Sequence, residues 1–462
     1  MGASIHTPID SYIETNRGRF LDELKSFLSI PSVSTLPQHR PDIDRASEFV
    51  AGKLREAGIE NVERIATSGH PLIYGDWMHA PGKPTVLCYG HYDVQPPDPL
   101  AEWTSPPFQP SVRGESIYAR GAADDKGQMY IHVKAAESLL KARGSLPVNL
   151  KFLIEGEEEV GGAAVDRFVK ENAERLRCDA VLVSDTAMFA PGLPTLCIGL
   201  RGLVYVEIIA TGAAHDLHSG LYGGAAPNPL LGLSRILSQL VSFEHHVLIP
   251  GFYDEVVPPA PEEKSSWEQL PFDEKEFLRQ EVGSPCLVGE HGYSVLERLW
   301  ARPTLELHGI VGGFMGEGAK TVIPARAAAK VSMRLVPKQD PEKILASLRK
   351  EVSLLAPRGL RVEVKVLSSG EPELIEPSHP HIQAAASALT AVFHKPTVFI
   401  RSGGSIPIVS RFRDSLGAPV ILMGFGLPDD RLHAPNEKFS LPNFYDGIRA
   451  VAAFWDNLGG PR

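Results

Sequence analysis

Four apolar runs of strand length each carry acidic or imidazole residues just beyond their carboxyl ends, and this constrains the fold more than any other feature of the chain. Residues 87–90 lead into His91 and Asp93, residues 148–154 into Glu155-Gly-Glu-Glu-Glu-Val-Gly161, residues 180–184 into Asp185, and residues 420–423, through a Gly-rich turn, into His433. Short apolar runs separated by helix-length segments read as buried parallel strands of an α/β sheet. Ligands of such open sheets bind beyond the carboxyl ends of the strands, so these chain-distant side chains are expected to converge on one edge. The expected class is α/β with a mainly parallel central sheet.

At 462 residues the chain exceeds a single compact core and suggests two or three domains. Its hydrophobic fraction of 43% and charged fraction of 22% are ordinary for a globular protein. No apolar stretch approaches the ~20 residues that cross a bilayer. The first residues show neither a secretory leader nor a myristoylation signal, so a cytoplasmic protein with no membrane partner is expected. The net charge of -10 argues against a nucleic-acid partner, which needs clustered Lys and Arg. The four cysteines, Cys88, Cys178, Cys197 and Cys286, stand singly, so disulfides are not expected. Cys88 and Cys197 lie inside apolar runs and read as core residues.

Helical spacing of apolar residues covers 9–29, 45–57 and 126–142, the last with Gly144 as its stop. From Gly202 the pattern changes to strands at 203–210, 327–335 and 360–367 with helices at 229–243 and 341–355, which reads as a separate α+β domain. Residues 244–300 are rich in Pro and acids and show little periodicity, as an insertion would. Strand signals resume at 398–401 and 420–423 and can complete the first sheet. The expected division is a discontinuous domain of residues 1–203 and 387–462, interrupted by a second domain of residues 204–386 with its insertion at about 244–300. Gly223-Gly224 and Gly312-Gly313 lack the Lys-Ser/Thr ending of a phosphate loop and read as turn or hinge glycines.

The candidates for chemistry are His91, Asp93, Asp124, Glu158, Glu159, Asp185 and His433. A two-metal hydrolytic site needs imidazole and carboxylate ligands, one bridging group and an open position for water. Two imidazoles and three carboxylates satisfy that for cations ~3.5 to 4 Å apart. Asp93, two residues beyond His91, is placed to accept the imidazole's second N–H. Within Glu157-Glu158-Glu159 one acid can coordinate while another faces the water as general base, and the residues alone leave the choice open. Taken singly, His91 and His433 read as loop histidines, the glutamate run as a solvated turn and Asp124-Asp125 as helix N-caps. Their repeated placement after strands favours the joint site.

Gly90-His-Tyr-Asp-Val-Gln-Pro96, Arg120-Gly-Ala-Ala-Asp-Asp-Lys-Gly127, Glu155-Gly-Glu-Glu-Glu-Val-Gly161, Asp216-Leu-His-Ser-Gly220, Gly318-Ala-Lys-Thr-Val-Ile-Pro324 and Gly403-Gly-Ser-Ile-Pro407 together resemble the di-metal metallopeptidase family of carnosinase-like and Cys-Gly dipeptidases, aminoacylases, acetylornithine deacetylase and succinyl-diaminopimelate desuccinylase. The resemblance covers nearly the whole chain and is closest to the carnosinase-like branch. It implies a zinc-exopeptidase-like catalytic domain with an inserted lid that also dimerises. It implies two divalent ions per subunit, zinc foremost with manganese or cobalt as alternatives. Asp124 would bridge them, His91 and Asp185 completing one and Glu159 and His433 the other. The spacing to Val160-Gly161 in the family's pattern assigns the base that deprotonates the bridging water to Glu158. His218 resembles the histidine that reaches into the partner subunit to support the oxyanion, an effect worth ~3 to 4 kcal/mol for one donor. Arg334 resembles the residue that grips the substrate carboxylate, with Thr321, Ser405 and His379 near the substrate. Without the resemblance, His218 reads as a polar loop histidine and Arg334 as an outward arginine.

The resulting expectation is a cytosolic, homodimeric metallopeptidase that cuts dipeptides. An N-acyl amino acid deacylase or desuccinylase is the alternative enzyme; Asp rather than Glu at position 185 goes, in the family, with substrates bearing a free amine. A non-catalytic binding or scaffold protein is the alternative of a different class, against which stands the presence of every expected ligand and base.

Overall fold

The computed structural model describes residues 7–460. The first six residues, read above for a leader, lie outside them. Two compact units are present: one runs to Ile198 and resumes over Ile375–Ile400 and from Arg411, and the other comprises Gly199–Leu374 and Arg401–Ser410. A boundary at 387 would have cut the helix Pro380–Phe393, which packs on the helix Leu441–Gly459. Residues 401–410 also depart from the expected division, because Ser405 is tied to Arg201 and Arg334 of the second unit.

In the first unit the sheet order is Glu60–Ile65, Leu72–Trp77, Asn149–Glu155, Thr85–His91, Ala180–Val183, Val420–Leu422 and Thr195–Leu200. The middle four are mutually parallel, and the flanking pairs are antiparallel. These middle four are the four apolar runs of the sequence. Their register levels the carboxyl ends: His91 pairs with Glu155, Tyr89 with Val183, and Leu422 with Val183. Strands buried on both faces read as continuous apolar runs because helices cover each face. A slip of one residue would turn every side chain to the opposite face, so burial fixes this register strongly.

The helix Lys126–Arg143 packs against Pro8–Leu28, Arg40–Ala57, Leu441–Gly459 and the strand Thr85–His91, so nearly all of it is buried. It ends where Gly144 takes a left-handed φ of 76°, a conformation glycine adopts without steric cost. Its buried polar groups are partnered, as burial requires. Lys126 Nζ donates to the carbonyls of Phe27 and Ile30 at 3.2 and 2.7 Å. Gln128 spans Ala123 O and the amides of Phe425 and Gly426. His132 Nε2 meets Ser184 Oγ at 2.7 Å.

In the second unit a four-stranded antiparallel sheet runs Thr304–Gly312, Arg326–Leu335, Gly202–Thr211, Arg361–Gly370. Gly202–Thr211 alternates buried and half-buried residues, the signature of a sheet with one packed face. That face, through Val204, Val206, Ile208 and Ala210, forms a core with the helices Pro229–Leu237 and Pro341–Leu355. The helix expected to reach 243 stops at Leu237, and a turn follows in which Val241 bridges Val247. The insertion is less featureless than its composition suggests, with helices Pro261–Glu268 and Val295–Trp300. Among the described residues no helix is long and apolar enough to cross a membrane.

Burial pushes the His132 imidazole down to about 3. The unfolded chain, with a histidine pKa of about 6.5, therefore binds more protons between those values, and the fold loses stability as pH falls below about 6.5. Unfolding free energies of wild-type and His132→Asn protein from urea titrations across pH 4 to 8 are expected to diverge in slope by up to about 1.4 kcal/mol per pH unit on the acid side. Parallel profiles would show that His132 is not the group being protonated.

Candidate metal centre

Each cluster residue is delivered by an element whose formation the sequence explains. His91 is the last residue of the strand Thr85–His91, Asp124 precedes the buried helix, Glu158 and Glu159 open a single turn after Asn149–Glu155, Asp185 lies two residues past Ala180–Val183, and His433 sits in the loop after Val420–Leu422.

These groups meet as two triads sharing one carboxylate. His91, Asp124 and Asp185 bring one ligand atom each within 4.8 Å of one another, as do Asp124, Glu159 and His433. His91 Nε2 lies 3.1 Å from Asp124 Oδ1 and 4.0 Å from Asp185 Oδ2. His433 Nε2 lies 2.9 Å from Asp124 Oδ2 and 3.3 Å from Glu159 Oε2. The two oxygens of Asp124 thus face different imidazoles, as a bridging carboxylate must. The donor set also fits cations: His91 Nε2 is buried and makes no hydrogen bond in spite of its acidic neighbours. Imidazole nitrogens and carboxylate oxygens suit zinc and related divalent ions.

Without cations, protons must balance the charge. Burial works against a charged His91, but Asp124 and Asp93 hold its pKa well above the usual value. Asp124 and Glu159 raise His433 to about 10. For Asp124, burial is outweighed by the hydrogen bond with His433 and by the positive charge of the two imidazoles, which keep its carboxyl below the ordinary range. Asp185 goes the other way, up to about 7, through burial and repulsion from Asp124. Glu158 rises to about 8, mainly by burial, with His91 opposing and Asp185, Glu159 and Asp124 adding repulsion.

Asp93 faces the second nitrogen of His91 and does more besides. The nearest partner of His91 Nδ1 is the Asp93 carbonyl at 3.1 Å, with its carboxylate at 3.4 Å. That carboxylate accepts from the amides of Glu158 and Glu159 at 3.3 and 3.2 Å, so it also holds the turn that presents both glutamates. Asp125 does not cap the helix with its side chain; its Oδ2 accepts from His91 N at 3.1 Å. Gly90 leaves the room for this, since a Cβ there would fall 2.8 Å from that oxygen. A rule of local motifs assigns Asp125 to capping, and only the fold reveals its true partner.

The remaining candidates separate. His218 is exposed in a two-stranded ribbon opposite Val322, its Nδ1 accepting from Gly220 N at 3.0 Å, and the neighbouring Thr321 carbonyl accepts from Ser219 N. Arg334 Nη1 donates to Ser405 Oγ at 2.9 Å, and Ser405 in turn donates to the Arg201 carbonyl. Arg334 and Arg201 line a cavity of about 590 Å³ in the second unit, with Tyr205, Arg298, Glu306 and His308. Arg201 was not singled out in the sequence; burial and the Arg334 charge lower it to about 10, so the cavity carries surplus positive charge. His379 belongs to the first unit, where its Nδ1 accepts from His381 N and caps the helix Pro380–Phe393. It joins neither metal triad.

Known proteins resemble the chain in sequence and in fold. The chain is 33% identical to a Cys-Gly metallodipeptidase of Candida albicans, with 98% of this chain and 97% of that one aligned. Human carnosine dipeptidase 1 has a similar structure, with a TM-score of 0.85, 30% identity and 98% of both chains covered. An M20 family metallo-carboxypeptidase from Sulfolobus solfataricus gives a TM-score of 0.86 at 31% identity, covering 95% of this chain and 99% of the other. Residues 87–457 match the Peptidase family M20/M25/M40, and the chain belongs to that family.

Proposed function

We propose that this protein is a metal-dependent dipeptidase. The observation that carries the reading is the split role of Asp124, one oxygen turned to His91 and the other to His433. The names of relatives aligned over nearly the full chain, a Cys-Gly metallodipeptidase and a carnosine dipeptidase, support dipeptides as the substrate class.

His91 and Asp185 would hold one divalent ion, Glu159 and His433 the other, with Asp124 between them. Such a pair, when bound, polarises a scissile carbonyl and neutralises charge developing on it. Zinc suits this donor set, and manganese or cobalt are alternatives. The chain's own residues supply the rest. Glu158, free of the two triads, takes a proton from the attacking water and returns it to the leaving amine, and its raised proton affinity suits that exchange. Asp93 keeps Glu158 and Glu159 in place through their amides. Arg334 and Ser405 recognise the substrate's carboxylate, the planar guanidinium being suited to a two-point contact.

We read the second unit as a lid and dimerisation domain. Its edge strand Thr304–Gly312 exposes Leu307, Ile310 and Val311, with Phe314 and Met315 exposed just beyond. An open apolar edge is a surface that chains ordinarily cover. His218 and Thr321, exposed on one ribbon, are then available to a second copy, where His218 would support the oxyanion. Cys88, Cys178, Cys197 and Cys286 form no disulfide with one another, which fits a reducing compartment, and we assign the protein to the cytoplasm.

A panel of free, N-acylated and C-amidated dipeptides tests the assignment. Free dipeptides are expected to be cut fastest, and a preference for N-acylated substrates would point to a deacylase instead. Glu158→Gln is expected to retain metal, read by mass spectrometry, while kcat falls about 100 to 10,000-fold. Unchanged turnover would remove Glu158 from the base role. Asp185 has a raised folded pKa, so stability it gives at low pH is lost as pH rises through about 7. At pH 8 Asp185→Asn is therefore expected to raise the melting temperature of chelated protein while weakening its uptake of metal; a lower melting temperature would contradict the crowding of negative charge.

A further inference from the structure

Glu437 lies four residues beyond His433 and is completely buried. Its Oε2 accepts from Arg120 Nη1 at 2.7 Å and Gly121 N at 2.9 Å. Its Oε1 accepts from Ala123 N at 3.0 Å and Asp124 N at 3.2 Å. All four donors belong to the short loop that ends in Asp124. One carboxylate thus binds three backbone amides and the arginine side chain of the segment that presents the shared ligand.

The arm on which Glu437 sits is held in an uncommon backbone. Arg431, His433 and Asn436 have φ of 57°, 59° and 65°, a left-handed region that side-chain-bearing residues occupy only where surroundings over-determine it. Asn436 anchors the arm from the other side, accepting from Thr104 N and donating to Glu102 O, each at 2.8 Å. Lys438 N closes the loop on Asp430 O at 3.0 Å. Between those anchors the His433 imidazole is more than half exposed, with a side-chain exposure of 54%. Packing therefore does little to aim it, and the arm's backbone must.

We infer that Glu437 is a positioning residue that fixes the His433 arm and the Asp124 loop in one register, and so sets how tightly the triad of Asp124, Glu159 and His433 holds its cation. Groups that orient ligands from behind typically contribute 10 to 100-fold in metal affinity. The inference rests on the di-metal reading of the site.

Glu437→Gln keeps the shape but replaces one acceptor oxygen with an N–H donor, which must then face two of the four existing donors. Titration of chelated protein with Zn²⁺ by calorimetry is expected to show one site weakened about 10 to 100-fold, with activity restored only at correspondingly higher Zn²⁺. Glu437→Asp keeps the charge but is too short to span both donor pairs, so it is expected to fall between wild type and Gln; it also carries the test if the Gln variant does not fold. Ile448→Ala, in a fully buried position of the helix Leu441–Gly459, serves as a control for general destabilisation and is expected to lower the melting temperature with Zn²⁺ affinity unchanged. Wild-type affinity in the folded Glu437 variants, or an equal loss in Ile448→Ala, would overturn the inference while leaving the di-metal reading intact. A wild-type protein that takes up no Zn²⁺ would overturn both.

Discussion

The carboxylate of Asp124 is the interaction on which the site depends. One oxygen faces His91, the terminal residue of a central strand, and the other faces His433, from a loop more than three hundred positions later in the chain. Neither imidazole could be brought to it by local structure. The parallel register of four strands puts His91, the Glu158 turn, Asp185 and the start of the His433 loop at one sheet edge, and the fully packed helix behind them fixes where Asp124 emerges.

Collecting five carboxylates and two imidazoles in a largely buried place is unfavourable unless something balances their charge. The opposite displacements of Asp124 and Asp185 express this: one is held charged by two imidazoles, the other is pushed toward neutrality by burial and by Asp124 itself. Cations relieve the same conflict more fully than protons, because each can attract several oxygens at once. Stability has been given up locally for affinity, a common feature of functional sites.

Much of this was legible in the sequence. The four central strands and the buried helix declared themselves, because strands covered on both faces must be apolar throughout; the acids and imidazoles stood out where such runs end, but the roles of Asp124 and of Glu158 against Glu159 came only from the family resemblance. Less was legible where side chains act at a distance. The Asp93 carboxylate serving the amides of Glu158 and Glu159, Asp125 serving His91 N, and Glu437 clasping the Asp124 loop leave no local pattern; each is a single acid whose partners lie 34 to 317 positions away. The unit boundary at Ile375 escaped for a related reason: the polypeptide crosses there without a change of composition, and only the packing of the helix Pro380–Phe393 on Leu441–Gly459 reveals the side to which it belongs.

The most direct test of the central claim is anomalous scattering from crystals grown with Zn²⁺. The account predicts two peaks about 3.5 to 4 Å apart, one touching His91, Asp124 and Asp185, the other touching Asp124, Glu159 and His433. A single peak that leaves one triad empty, or two peaks that do not share Asp124, would contradict it.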